Sequence, residues 1–204
     1  MAVAAENVCF GIEIECIIPT EAWGSRPIGR YHGGLQIADL PAGWKSERDC
    51  SINAPFGWTA VEIVSPVLCG REGLEQVVAV CEWINGLGGK VNATCGLHVT
   101  LTFPANDTAS LRRLVHFVAC HEYAIFATTG SQRRMQNHYC GPISQRFASL
   151  KNAKKMAQFF TDATSSRYSM LNLTHIRNGA NRVEFRAFAG TTNPTKILGY
   201  IQLA

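Results

Sequence analysis

Two glutamates, Glu13 and Glu15, stand two apart in the apolar run from Val8 to Ile18 (VCFGIEIECII). Side chains two apart on an extended segment share a face, so both carboxylates project the same way. Like charges that close repel unless a cation lies between them, and an oxygen-seeking ion such as magnesium is the simplest counter-charge. Two glutamates on a solvated strand face would leave the same pattern, because half-exposed antiparallel strands alternate in this way. Further runs strengthen the reading of a site. Glu62 interrupts the apolar strand pattern AVEIV, and Glu184 and Arg186 are again two apart in RVEFRAF. His98 points with Thr100 and Thr102 off an apolar face in GLHVTLTF. A lone histidine is more often structural than a ligand, but polar residues seldom hold the middle of several strands without a shared purpose.

Such a set can hold magnesium against a nucleotide triphosphate. Magnesium takes a few carboxylates and completes its shell with water and phosphate oxygens, and arginine neutralises charge on a transferring phosphoryl group. No G-x-x-x-x-G-K-[ST] run occurs, so any ATP site is of another kind. The same residues could instead activate water in a metal-dependent hydrolase or phosphoesterase. A non-catalytic binding protein is the third alternative.

The elements that must position these residues are short strands and three substantial helices. Strands are expected over Val8–Ile18, Trp58–Val64, Gly96–Phe103, Tyr168–Ile176 and Arg182–Phe188. The stretch Pro19–Gly57 is too long for an idle connection and predicts short hairpins or a substrate-covering loop. His32, Trp44 and Lys45 lie in it without an assigned role. A helix near Glu72–Leu87 carries the stripe Leu74, Val77, Val78, Cys81, Ile84 and stops at Gly86, Gly88 and Gly89. A second, capped by Asp107 or Thr108, carries Leu111, Leu114, Val115, Val118 and Ile125. A third, basic helix is expected from about Ser144 to Phe160. Asn193–Pro194 opens a last helical pattern, which reaches Ala204 without a stop signal. The fold class expected is α+β, a mainly antiparallel sheet with helices packed on one side. One domain, 1–204, is expected, cut short at its C-terminus unless the natural chain ends there.

With 47% apolar and 17% charged residues the chain is an ordinary globular one. It has no membrane-spanning run, and its start, Met1 to Glu6, lacks a secretory pattern. A cytoplasmic address and reduced thiols are therefore expected. The 8 cysteines form no C-x-x-C pair, and those in apolar runs, such as Cys16 and Cys81, read as core filler. The net charge of +4 is mild. Arginine pairs such as Arg112–Arg113 and Arg133–Arg134, and the group Arg146, Lys151, Lys154 and Lys155, suit phosphate or carboxylate recognition. A solvated helix face would look the same. Aromatic residues do not interleave with these clusters, so nucleic acid is not an expected partner.

The order GIEIE, D-x-S (Asp49, Ser51), VEIVSP, GLHV, R-x-x-x-x-N (Arg167, Asn172) and VEFRAFAGT resembles the amidoligase family, which groups with glutamine synthetase and glutamate–cysteine ligase. The resemblance spans Phe10–Thr192. It implies a glutamine synthetase catalytic-domain-like fold and ATP-dependent carboxylate–amine ligation through an acyl phosphate, with ATP and magnesium as cofactors. It implies that Glu13, His98 and Glu184 hold the magnesium next to the ATP phosphates, and that Glu15 and Glu62 hold a second beside the substrate. Arg186 then contacts the transferring phosphoryl group, Asp49 and Ser51 shape the substrate side, and Arg167 and Asn172 serve phosphate or substrate. The family often shows H-V-H where this chain has His98–Val99–Thr100, so one substrate or nucleotide contact differs. The partners implied are a small-molecule or peptide carboxylate and an amine. The apolar last helix invites homo-oligomerisation.

Overall fold

The computed structural model describes residues 9–103, 108–130, 132–145, 150 and 155–204. These form an α+β fold with eight strands in mostly antiparallel pairing: β1 (Cys9–Pro19), β2 (Leu35–Gln36), β3 (Lys45–Glu47), β4 (Trp58–Val64), β5 (Leu68–Cys69), β6 (Gly96–Thr102), β7 (Leu171–Asn172) and β8 (Arg182–Ala189). The chain clusters into two compact units, one up to Val99 together with Ala189–Ala204, the other Thr100–Phe188.

In the first unit the strands follow the order β2-β3-β4-β1-β6, and β5 pairs with the start of β1. β1 and β4 run from Glu13↔Val64 to Pro19↔Trp58, so Glu15 lies directly opposite Glu62. The even-numbered residues of β1 (Phe10, Ile12, Ile14, Cys16, Ile18) are all buried, which fixes the register because a slip of one residue would turn them outward. The helix Gly70–Gly86 buries Val77, Val80, Cys81 and Ile84 and packs against the final helix, Pro194–Leu203, whose Ile197 and Tyr200 are buried. Asn193 caps that helix by accepting from the Lys196 N–H. The final helix therefore has a partner for its apolar side within its own chain.

In the second unit the order is β6-β8-β7, with Phe103 N–H donating to Asn181 across the first pair. The helix Thr108–Thr128 buries Leu111, Val115, Val118, Ile125 and Phe126, and the helix Met156–Ala163 packs on it. Among the described residues no helix is long and apolar enough to cross a membrane.

Three expectations need correction. The strand pattern at Tyr168–Ile176 yields only Leu171–Asn172, because the Asn172 side chain accepts from both the N–H and the hydroxyl of Thr174 and turns the chain into the short helix Thr174–Arg177. The basic helix is not continuous to Phe160: Lys155 is extended, and Met156–Ala163 starts afresh after it. Asp107, Arg146, Lys151 and Lys154 lie outside the described residues. The thiols are not all reduced, for Cys9 and Cys69 are bridged. They face each other in the β1–β5 register at a Cα separation of 4.3 Å, a pairing that 60 residues of sequence between them conceal. Cys16, Cys81, Cys95 and Cys140 are buried and not disulfide-bonded, as expected of core filler. Burial pushes the Cys81 thiol up to about 12, and Cys16 is raised as well.

Candidate metal centre

The β-sheet register does most of the positioning. In the first unit, Glu47 of β3 pairs with Glu62 of β4, which pairs with Glu15 of β1. Directly opposite side chains share a face, and neighbouring strands are about 4.8 Å apart, so three carboxylates stand in one row. All three are buried. Glu13 lies two residues along β1 on the same face, a third exposed. His98 enters from β6, with Nδ1 2.7 Å from Glu13 Oε2 and 3.9 Å from Glu62 Oε1, and Nε2 3.4 Å from Glu15 Oε1. The Gly96 N–H donates to Glu15 Oε2 at 2.6 Å and fixes that carboxylate.

Asp49 follows β3 in a turn. Its Oδ1 accepts from the Ser51 N–H at 2.6 Å, which sets the side chain's direction. The segment beyond is tied down by Asn53 N–H donating to the Thr94 hydroxyl and by the Asn92 side chain donating to the Asn53 carbonyl. Ile52 there packs with Ile17, Cys95, Trp58 and Ala60. An apolar cluster thus borders the carboxylates along β1 and β4 and lowers the local dielectric, which strengthens any charge interaction beside it.

Two groups of donor atoms result, each with its members within 4.8 Å of one another: Glu13, Glu62 and His98, and Glu15, Asp49 and Glu62. Glu62 belongs to both. Its carboxyl is held well above the usual range, first by burial and then by Glu13, Glu15, Asp49 and Glu47. Concentrated, buried negative charge of this kind is eased when a cation enters it, so these carboxylates and the imidazole form a candidate metal site.

The second unit gathers the other sequence-derived residues. Asn172 and Glu184 are directly paired on β7 and β8, and the Asn172 amide donates to Glu184 Oε2 at 2.6 Å. The Arg186 guanidinium donates to Glu184 Oε1 in a short charged hydrogen bond, and His175 Nε2 lies 3.5 Å from Glu184 Oε2. Arg186 Nε also donates to the Tyr139 carbonyl at 3.4 Å, while Arg134 donates to the Arg186 carbonyl at 2.6 Å. Arg167 stacks its guanidinium over Tyr168 at 5.3 Å.

A family model described as "Putative amidoligase enzyme" matches residues 6–204. The chain belongs to this family. No curated protein and no solved structure matches it. The amidoligase family's description names an amide-bond-forming ligase, and the match covers the residues of both clusters.

Within this amidoligase-family chain the tertiary structure gathers Glu13, Glu15, Glu62, His98, Asp49 and Ser51 in the first unit, and Asn172, Glu184 and Arg186 in the second. Among the described residues, two polar neighbours escaped the sequence reading. Glu47 is one; its spacing of two from Asp49 in KSERD repeats the Glu13/Glu15 alternation and could have revealed it. Its carboxylate accepts from the His32 and Gly34 N–H groups, and His32 holds a left-handed φ of 57°. His175 had no signal, because only the turn after Asn172 brings it to β8, while Arg134, named in the Arg133–Arg134 pair, reaches the Arg186 carbonyl of β8. Gly190, in the AFAGT run, has a steric reason: a Cβ there would meet the Cys95 backbone oxygen at 2.9 Å, just before β6.

Proposed function

We propose that this chain is an ATP-dependent carboxylate–amine ligase with a glutamine synthetase-like catalytic architecture, the helices on one side of its sheet. ATP phosphorylates a carboxylate, and an amine displaces phosphate from the acyl phosphate to form the amide. The observation that carries this reading is Glu62 as a common member of two adjacent ligand groups inside a chain of the amidoligase family. A shared carboxylate suits two neighbouring magnesium ions, the arrangement that phosphoryl transfer uses.

In this reading Glu13 and His98 hold magnesium on the nucleotide side, and Glu15 and Glu62 hold it on the substrate side. Asp49, steadied by Ser51, joins the substrate side. In the second unit Glu184 and Arg186 serve the nucleotide, with Arg186 stabilising charge on the transferring phosphoryl group and Asn172 and Arg167 assisting. Bound magnesium supplies neutralisation of phosphate charge. The chain's own residues orient the phosphates, exclude water through the apolar border at Ile17 and Ile52, and keep the carboxylates aligned. Substrates are a small-molecule or peptide carboxylate and an amine, and the address is cytoplasmic. Free-thiol titration of protein made in the cytoplasm checks whether the Cys9–Cys69 bridge forms at that address, where most thiols are kept reduced.

Calorimetric titration of ATP with magnesium, on the wild type and on Glu13→Ala, tests the reading. Magnesium-dependent binding lost in the variant supports it, as does phosphate release that needs both a carboxylate and an amine. Turnover without ATP, or full activity in Glu13→Ala, refutes it.

A further inference from the structure

Beside Arg186 in the second unit stands an exposed group of aromatic rings that the chemistry described so far does not use. His138, Tyr139 and Tyr168 lie with ring centroids 5.5 to 5.8 Å apart. Tyr139 and Tyr168 are 44% and 43% exposed.

Their backbone is not loose. Asn137 accepts from the Tyr139 N–H and caps the single turn His138–Cys140. The Ser166 hydroxyl accepts from the Tyr168 N–H. Two residues further on in each segment, Met170 N–H donates to Gly141, and Arg186 N–H of β8 donates to Met170. The two tyrosines are therefore registered to each other and to Arg186 by a short ladder. The Tyr139 carbonyl also accepts from the Arg186 guanidinium, and Arg167 covers the Tyr168 ring at 5.3 Å.

A preorganised cluster of exposed rings flanked by guanidinium groups is suited to a flat, electron-rich heterocycle carried on an anionic tail. Aromatic rings stack on nucleobases, and arginine adds attraction to both base and phosphate. We propose that His138, Tyr139 and Tyr168 form the stacking platform for the base of the nucleotide whose phosphates Arg186 handles. This rests on the ATP reading of the same unit. The platform binds by ring area, so it favours the larger purines over pyrimidines.

The test compares magnesium–ATP with magnesium–tripolyphosphate, which lacks the base, by calorimetry on the wild type, on the double variant Tyr139→Ala/Tyr168→Ala and on Tyr168→Phe. Circular dichroism confirms that each variant is folded. The expected result is a loss of roughly 10-fold in ATP affinity in the double variant, about 1.4 kcal/mol. Tripolyphosphate binding stays unchanged, and Tyr168→Phe, which keeps the ring, behaves as wild type. ATP affinity that does not fall, or that falls together with tripolyphosphate affinity, overturns the platform while leaving the ligase reading intact. A wild type that binds neither ligand overturns both. A single-stranded oligonucleotide that binds more tightly than ATP through these tyrosines assigns the platform to nucleic acid and overturns the proposal.

Discussion

Replacing Glu62 by glutamine is expected to stabilise the metal-free protein at neutral pH and to weaken its response to magnesium. Glu62 is 3% exposed and sits in a row between Glu15 and Glu47. Burial, followed by the charges of Glu13, Glu15, Asp49 and Glu47, raises its carboxyl well above the ordinary value of 4.5. An acid raised in this way binds more protons folded than unfolded between its two pKa values, so stability falls as pH climbs through that window. Each unit of difference is about 1.4 kcal/mol. The stability difference between Glu62→Gln and wild type should therefore grow in the variant's favour from about pH 5 to about pH 8 in EDTA. Magnesium reverses the order. At a concentration about 100 times its Kd a ligand adds about 2.7 kcal/mol. For a chain of 204 residues, at about 2–4 °C per kcal/mol, that is a rise in Tm of about 5–11 °C. The variant has lost the donor common to both groups and should show a smaller rise. Thermal unfolding followed by circular dichroism, with EDTA or magnesium across that pH range, reads both effects. A variant whose metal-free Tm tracks wild type at every pH, with an equal magnesium response, would refute the reasoning.

Glu13→Ala should lower phosphate release by roughly 100-fold or more with little change in Tm, because the side chain is a third exposed; a large Tm loss would mean that Glu13 acts structurally. Cys69→Ser opens a bridge that spans 60 residues and should cost about 4 kcal/mol in urea unfolding, with dithiothreitol giving wild type the same loss. Equal stability of oxidised, reduced and variant protein would count against the bridge. Gly29→Ala places a Cβ 2.5 Å from the Gly33 carbonyl oxygen and 2.7 Å from Leu35 N, all backbone, and should cost about 1–3 kcal/mol. A neutral result there would show that the turn over Glu47 yields easily.

Much of the fold was legible because alternation and helical stripes are local. Trp58–Val64 matches its expected span to the residue, and the final helix begins at Pro194 with Asn193 as its cap, where the capping signal stands. Local rules failed where a side chain overrode them. Asn172 reads as a strand residue by its neighbours, yet its hydrogen bonds to Thr174 end the strand at once. Lys155 sits in a basic helical pattern, yet it is extended. The Cys9–Cys69 bridge was unreadable because β5 is only two residues long and its pairing with β1 is a matter of register.

The candidate site divides in the same way. Residue types and spacing of two determined by themselves that Glu13 and Glu15, and Glu184 and Arg186, would each share a strand face, since side-chain alternation is a property of the extended backbone alone. The ordered motifs were likewise enough to mark the amidoligase family. Only the tertiary structure decided that Glu15, Glu62 and Glu47 form one row, that Asp49 joins Glu15 and Glu62, and that three aromatic rings meet beside Arg186. Those are contacts between segments far apart in sequence. They depend on strand register and turn geometry, which follow from burying Ile12, Ile14 and Val61 on the opposite face and not from any property of the polar residues themselves.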